Sequence, residues 1–242
     1  MKQADVGIAV SGATDAARAA ASLVLTAPGL SVIIHAIEEA RRIFERMNSY
    51  AMYRITETIR VMLFMVLCIL IYNFYPVTAL MIILLALLND IPIMTIVYDH
   101  TLLEAHPVRW KMKRVLTLST VLGCIGVCST FLLIFLTKIY FHVSLDELQS
   151  LIFLKLSVAG HQTLFVVRSK YAFFSKPYPS PILLSAILTT QAIAALIVGF
   201  GFLVTPIPWT YVLYIWIYAT VWMFIADGIK NMLYQYMGRD SK

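Results

Sequence analysis

Residues 80–97 read Leu-Met-Ile-Ile-Leu-Leu-Ala-Leu-Leu-Asn-Asp-Ile-Pro-Ile-Met-Thr-Ile-Val: an apolar run, the polar pair Asn89-Asp90, then Ile91-Pro92 before the apolar character resumes. Such a segment is long and apolar enough to cross a bilayer as a helix, and an ionisable side chain inside one is costly and a functional candidate by default. Counted back from Tyr98 at helical rise, Asp90 lies about 12 Å inside, too deep for a short carboxylate to snorkel. Pro92 cannot donate to the carbonyl of Leu88 four residues earlier, which weakens the helix beside the acid. A carboxylate, an amide and a freed carbonyl therefore converge, and Asp90, Asn89 and Pro92 are the leading transport candidates.

The rest of the chain has the same character. Its 242 residues are 60% hydrophobic and 13% charged, with a mean hydropathy of +0.82. This composition excludes a soluble fold, a disordered chain and a disulfide scaffold, and the length of the apolar runs excludes a β-barrel. The net charge of +6 does not indicate nucleic acid, which needs a basic face interleaved with aromatics on a soluble surface. Cys68, Cys124 and Cys128 all lie in apolar runs and read as small hydrophobes rather than disulfide or metal partners. Asp5 and Asp15 stand where a signal peptide needs basic and apolar residues, so the first span is expected to serve as its own membrane signal.

Outward from residues 80–97, the pattern predicts six spans, at 55–76, 77–98, 115–137, 148–167, 181–204 and 210–229. The first continues a helix predicted from Leu30 to about Asn73, a stretch with neither proline nor glycine. Its cytoplasmic half, residues 31–54, is an amphipathic stalk with Ile33, Ile37, Ala40, Phe44 and Met47 on one face and Glu38, Glu39, Arg41, Arg42 and Glu45 on others. Residues 1–30 differ: Val6–Val10 and Ser22–Thr26 read as short strands, Thr14–Ala21 as a helix, and Pro28-Gly29 as punctuation. Two short strands cannot form a stable parallel sheet alone, so this segment is expected to be the end of an α/β domain and the chain a fragment. Seventeen of the nineteen Lys and Arg residues fall in the N-terminal part through Arg60 and in 99–114, 168–179 and 230–242, whereas Lys138 stands alone on the opposite side. The positive-inside rule then puts both termini in the cytoplasm. With no internal repeat evident, an inverted-repeat transporter is disfavoured.

Arg60 is the expected partner of Asp90, because Val61–Tyr72 is too short to span the core and Arg60 must enter or border it. Burial favours a neutral acid and a nearby guanidinium favours the carboxylate, so changing their separation would bind and release a proton. Snorkelling is the competing reading of Arg60. The secondary polar candidates are Glu57, one turn before Arg60, and Lys155, His161 and Gln162 in the fourth span. Lys155 and Gln162 share a face and His161 points away; these three read as interhelical hydrogen bonds or snorkelling rather than as transport groups, and Glu57 as a partner of Arg60 at i,i+3. Asp227 reads as an end-of-helix charge. No zinc spacing, nucleophile triad or complete phosphate loop is present, so neither catalytic nor metal residues are expected.

Taken in order, Ala4-Asp-Val-Gly-Ile-Ala-Val10, Ala13-Thr-Asp-Ala-Ala-Arg18, Val24-Leu-Thr26 and Pro28-Gly-Leu-Ser-Val-Ile-Ile34 resemble the end of the phosphorylation domain of P-type ATPases. Ile43-Phe-Glu-Arg-Met47, Thr58-Ile-Arg60, Leu88-Asn-Asp-Ile-Pro-Ile-Met-Thr-Ile96 and Phe165-Val-Val-Arg-Ser169 resemble the plasma-membrane proton-pump subgroup. The resemblance runs through essentially the whole chain. It implies an all-α polytopic membrane protein whose six transmembrane helices are pump helices five to ten, in the cell membrane, preceded by the C-terminal remnant of a HAD-like α/β phosphorylation domain (1–30) and a stalk helix (31–54). It also implies that the transported ion is a proton, with Asp90 as its acceptor and donor and Arg60 as the positive partner. Calcium and sodium pumps gather several oxygen ligands in these helices, and this chain has Ile91-Pro92 where proton pumps often have Gly-Thr. The phosphorylated Asp-Lys-Thr-Gly motif and the nucleotide domain are absent from these residues. ATP and Mg2+ are therefore implied for a complete pump, no cofactor is implied here, and no ATPase activity is expected of the chain alone. The expected partners are the lipid bilayer and a separate N-terminal pump half. The alternatives are a free-standing six-helix proton channel, secondary transporter or assembly partner, and an inactive remnant.

Overall fold

Between Leu30 and Asn73 nothing interrupts helical hydrogen bonding, and in the computed structural model this stretch forms one helix of 42 residues, α2, Ser31–Tyr72. The structure describes residues 4–27, 31–103, 110–140 and 143–239; the Pro28-Gly29 punctuation lies outside them. The chain divides into two units, Met1–Phe44 with Leu103–Val108, and Glu45–Leu102 with Arg109–Lys242.

In the first unit, β1 (Ile8–Ala9) and β2 (Leu23–Val24) pair in parallel, with Ile8 opposite Leu23 and Ala9 opposite Val24. Between them α1 (Asp15–Ala19) is capped by Thr14, whose hydroxyl oxygen accepts from the Ala17 N–H at 3.4 Å. Gly12, at φ +86°, supplies the left-handed residue of the β1–α1 turn. The elements are shorter than the sequence predicts, yet their order is the same. The first part of α2 belongs to this unit, and Ile37 on its apolar stripe remains exposed.

The second unit holds the remainder of α2 and five further helices: α3 (Ala79–Met94), α4 (Met112–Tyr140), α5 (Leu145–Val167), α6 (Pro181–Phe200) and α7 (Trp209–Arg239). Among the described residues six helices are long and apolar enough to cross a membrane, and the chain is an all-α polytopic membrane protein. Local chemistry explains their ends. Thr78 caps α3 by accepting from the Met81 N–H. Ser144 and Glu147 form a reciprocal capping box at α5. Ser180 caps α6 with Pro181 in its first turn, and Gly201 closes α6 in the left-handed conformation at φ +72°. Helix α3 continues through Pro92 to Met94 and then tightens into a 3-10 turn, Thr95–Tyr98, within the span that the sequence pattern predicts at 77–98.

Helix α5 is the hub. Of its apolar window 83% is buried, against 22–44% for the other spans, and it packs on α3, α4, α6 and α7. Phe153, Leu154, Leu156 and Val158 are fully covered around its circumference.

A buried ion pair fastens one end of this bundle. Arg168, just past α5, donates from Nε to Asp99 Oδ2 at 2.7 Å and from Nη2 to Asp99 Oδ1 at 3.2 Å. Asp99 Oδ1 also accepts from the Ser180 N–H at 2.9 Å, and Arg168 Nη1 donates to the Pro177 carbonyl at 2.9 Å. The residues following α3 and α5 are thereby tied to the start of α6. Nearby, Lys230 Nζ donates to the carbonyls of Val166, Ser169 and Tyr171 and pairs with Asp227 at 2.8 Å. Asp227, expected as a simple end-of-helix charge, is thus half of a buried pair that closes the end of α5. Removing one partner of a buried pair strands the other charge, at a cost of about 3–5 kcal/mol. Asp99→Ala is expected to lower unfolding stability by about that much, Arg168→Ala similarly, and the double variant by far less than the sum, as read from loss of helical circular dichroism during denaturant titration in detergent micelles.

Candidate functional site

The site begins with a missing hydrogen. Pro92 leaves the Leu88 carbonyl without its helical donor, and in a membrane span that oxygen must be satisfied by protein. His161 Nε2 of α5 lies 3.0 Å from it; because a carbonyl only accepts, Nε2 is the protonated nitrogen. Thr95 Oγ1 donates to the Pro92 carbonyl at 2.7 Å, securing the next turn. The missing hydrogen bond of α3 is therefore made good from α5, with Asn89 buried and Asp90 half-exposed between the His161 and Thr95 contacts.

Asp90 pairs with Arg54, Oδ1 to Nη1 at 2.7 Å. This corrects the expected partner: Arg60 is engaged elsewhere. Its Nη2 donates to Glu57 Oε1, and its Nη1 donates to Thr163 Oγ1 at 3.1 Å. The reason is axial position on α2. Arg54 stands six residues before Arg60, about 9 Å along the helix, which is the level Asp90 occupies on the returning α3, whereas Glu57 offers Arg60 a carboxylate one turn away. The sequence boundary at residue 54 had placed Arg54 in the stalk.

Two glycines make room for Arg60, which is 2% exposed. A Cβ on Gly126 of α4 would lie 2.4 Å from Arg60 Cδ, and one on Gly160 of α5 would lie 2.8 Å from Asn89 Oδ1 and 3.2 Å from Arg60 Nη2. The guanidinium and the Asn89 amide thus approach one point over a backbone that has no side chain. A cavity of about 40 Å³ borders Arg60, lined also by Gly126, Ser129, Gln162, Thr163 and Trp222.

The remaining polar candidates are all buried on α5 but aim at different helices. Lys155 Nζ donates to the Gly126 carbonyl at 3.1 Å, Ser129 Oγ at 2.7 Å and Thr130 Oγ1 at 2.5 Å, all on α4. Gln162 Nε2 donates to Thr220 Oγ1 of α7 at 3.0 Å. These are the interhelical hydrogen bonds the sequence pattern allows for, and the structure joins Glu57 and Arg60 directly. Arg54, Gly126, Gly160 and Thr163 are what sequence reasoning missed. A glycine at the level of a membrane arginine was the available signal for Gly126 and Gly160.

The His161 brace generates a sharp test. His161→Phe would orphan the Leu88 carbonyl and is expected to cost about 1–3 kcal/mol of unfolding stability. Pro92→Ala restores a backbone donor to that same carbonyl, so His161→Phe in the Pro92→Ala background is expected to cost clearly less. Equal costs in both backgrounds, measured by denaturant titration in micelles, would contradict the brace.

No known family profile matches the chain. Across 96% of its length it is 54% identical to a protein of Methanocaldococcus jannaschii named as a cation-transporting ATPase, covering 29% of that protein. It is 32% identical, over 95% of its length, to two Leishmania donovani proteins named as proton ATPases 1A and 1B, covering 28% of each. The chain spans less than a third of the length of these relatives. With six membrane-length helices among the described residues, one of them bearing Asn89-Asp90 beside Pro92, and with these relatives, the chain is homologous to one part of the P-type cation-transporting ATPases.

Proposed function

We propose that the chain is the C-terminal transport part of a P-type proton-translocating ATPase of the cell membrane, with both termini cytoplasmic and Asp90 carrying the proton. The observation that carries this reading is the Asp90 carboxylate, set between the Asn89 amide and Pro92 inside a span and ion-paired to Arg54 at 2.7 Å. One acid at this level of the bundle, faced by a guanidinium, suits a proton, which needs one base, better than a cation that must trade its water for several oxygens. Arginine keeps its charge throughout, so approach of a guanidinium drives the proton off Asp90 and withdrawal lets one return. Arg54 is the partner in this arrangement, and Arg60, on the same helix, is the second cation available when α2 and α3 shift.

ATP and Mg2+ belong to the complete pump. The described residues of the first unit do not fit either group: Thr14 spends its hydroxyl on capping α1, and Asp5 and Asp15 are exposed without a cluster of donors around them.

The test uses the complete pump in proteoliposomes. Asp90→Asn is expected to reduce ATP-dependent acidification to background while nucleotide binding persists, and Arg54→Gln to alter the pH dependence of turnover. Undiminished acidification by Asp90→Asn would remove Asp90 from the mechanism.

A further inference from the structure

Helix α2 holds two carboxylates on two arginines, Asp90 on Arg54 and its own Glu57 on Arg60. Glu57 is the deeper, at 8% exposure, whereas the Asp90 side chain is 45% exposed. Arg60 engages only one Glu57 oxygen. The other, Oε2, has no hydrogen-bond partner among the described residues, and neither do the nearby Tyr53 hydroxyl and Thr56 Oγ1. A buried ion pair that served only stability would be expected to have its remaining lone pairs satisfied. An unmet carboxylate oxygen in a dry site is a place where a proton can be held.

Arg60 is positioned to decide when. Its Nη2 and the Asn89 amide converge over Gly160, and Asn89 precedes Asp90 in the chain. The guanidinium therefore lies between Glu57 and the Asn89 amide, whose Oδ1 also has no hydrogen-bond partner among the described residues. Rotation toward that oxygen withdraws it from Glu57, and a buried carboxylate that loses its cation takes up a proton. The other ionisable groups facing this place are Tyr53 and Arg54 on α2, Asp90 on α3, and Lys155 and His161 on α5. Lys155 is held by neutral oxygens alone, so it contributes a constant positive field without competing for Glu57.

We propose that Glu57 is a second proton-carrying carboxylate, which takes up a proton when Arg60 turns from it to the Asn89 amide; that it works beside a first such carboxylate rests on the reading of Asp90 given above. In the starting state both acids are ionised, Asp90 on Arg54 and Glu57 on Arg60. Arg60 turns to Asn89 Oδ1, an O–H bond of a hydronium ion breaks, and an O–H bond forms on Glu57. One proton is taken up from water, the summed charge of Glu57 and Arg60 rises by one, and no other co-reactant is needed.

The test is infrared spectroscopy of the full 242-residue chain in lipid nanodiscs in deuterated water, titrated downward in pH. Carboxyl C=O bands are assigned in the unsubstituted protein by carboxyl-13C labelling of all Glu or all Asp. The expected result is a Glu-labelled band in a solvent-shielded environment that Glu57→Gln abolishes and Asp90→Asn retains, and a separate Asp-labelled band that Asp90→Asn abolishes. Glu57→Asp, which should move the shielded band from the Glu to the Asp label set, covers the case in which Glu57→Gln does not fold. Absence of any shielded Glu-labelled band at every pH at which the chain stays folded makes Glu57 a permanently ionised partner of Arg60 and overturns the proposal. Absence of the Asp90 band with the Glu57 band present removes the Asp90 reading while Glu57 stands, and so separates the two failures.

Discussion

The Leu88 carbonyl is the constraint from which the arrangement follows. Pro92 removes its donor in a place where water cannot replace it, so another helix must present an N–H at that level. His161 does so from α5. Once α5 is pinned to α3, its next residues have fixed directions: Gln162 toward α7, Thr163 toward Arg60 of α2, and, two turns earlier, Lys155 toward α4. Apolar packing in lipid distinguishes poorly between one helix register and the next, because lipid tails are as apolar as leucine. These polar pins make the distinction, and burying α5 on all sides is what gives each pin a partner.

Space is the second determinant. An arginine can lie across a membrane bundle only where its stem has room, and Gly126 and Gly160 provide that room from two sides. The same absence of side chains brings the guanidinium and the Asn89 amide together. Packing and electrostatics are therefore set by the same few residues: a methyl group at Gly160 would separate the cation from the segment that bears Asp90.

Much of this was legible in the amino-acid order. The helices, the freed Leu88 carbonyl beside Pro92 and the i,i+3 pairing of Glu57 with Arg60 all follow from period, hydropathy and backbone chemistry. The order and parallel sense expected of the short strands around α1 also appear in the structure. What could not be read was pairing. Which cation meets Asp90 depends on the relative axial shift of two antiparallel helices, and a shift of six residues separates Arg54 from Arg60. The direction of His161 was likewise hidden. Helical periodicity places it off the face shared by Lys155 and Gln162, and that is where it is, but only a helix surrounded on every side turns an off-face residue into a contact. Asp99 and Arg168 lie 69 residues apart in connecting segments, where no periodicity links them.

The charge pattern also limits which groups can move a proton. Arg54 and Arg60 do not titrate. Lys155 has three oxygen partners and no carboxylate, so a change in its charge would leave three acceptors facing a group with fewer protons to give. His161 already commits Nε2–H to Leu88, and losing that bond would unbrace α3. The groups that can change protonation without dismantling the bundle are the two carboxyls, each of which keeps a helix-borne arginine within reach. Protonation of Glu57 needs only side-chain rotation of Arg60 toward Asn89 within the space that two glycines leave open, whereas any scheme through His161 or Lys155 must first break a pin that holds α5 in place.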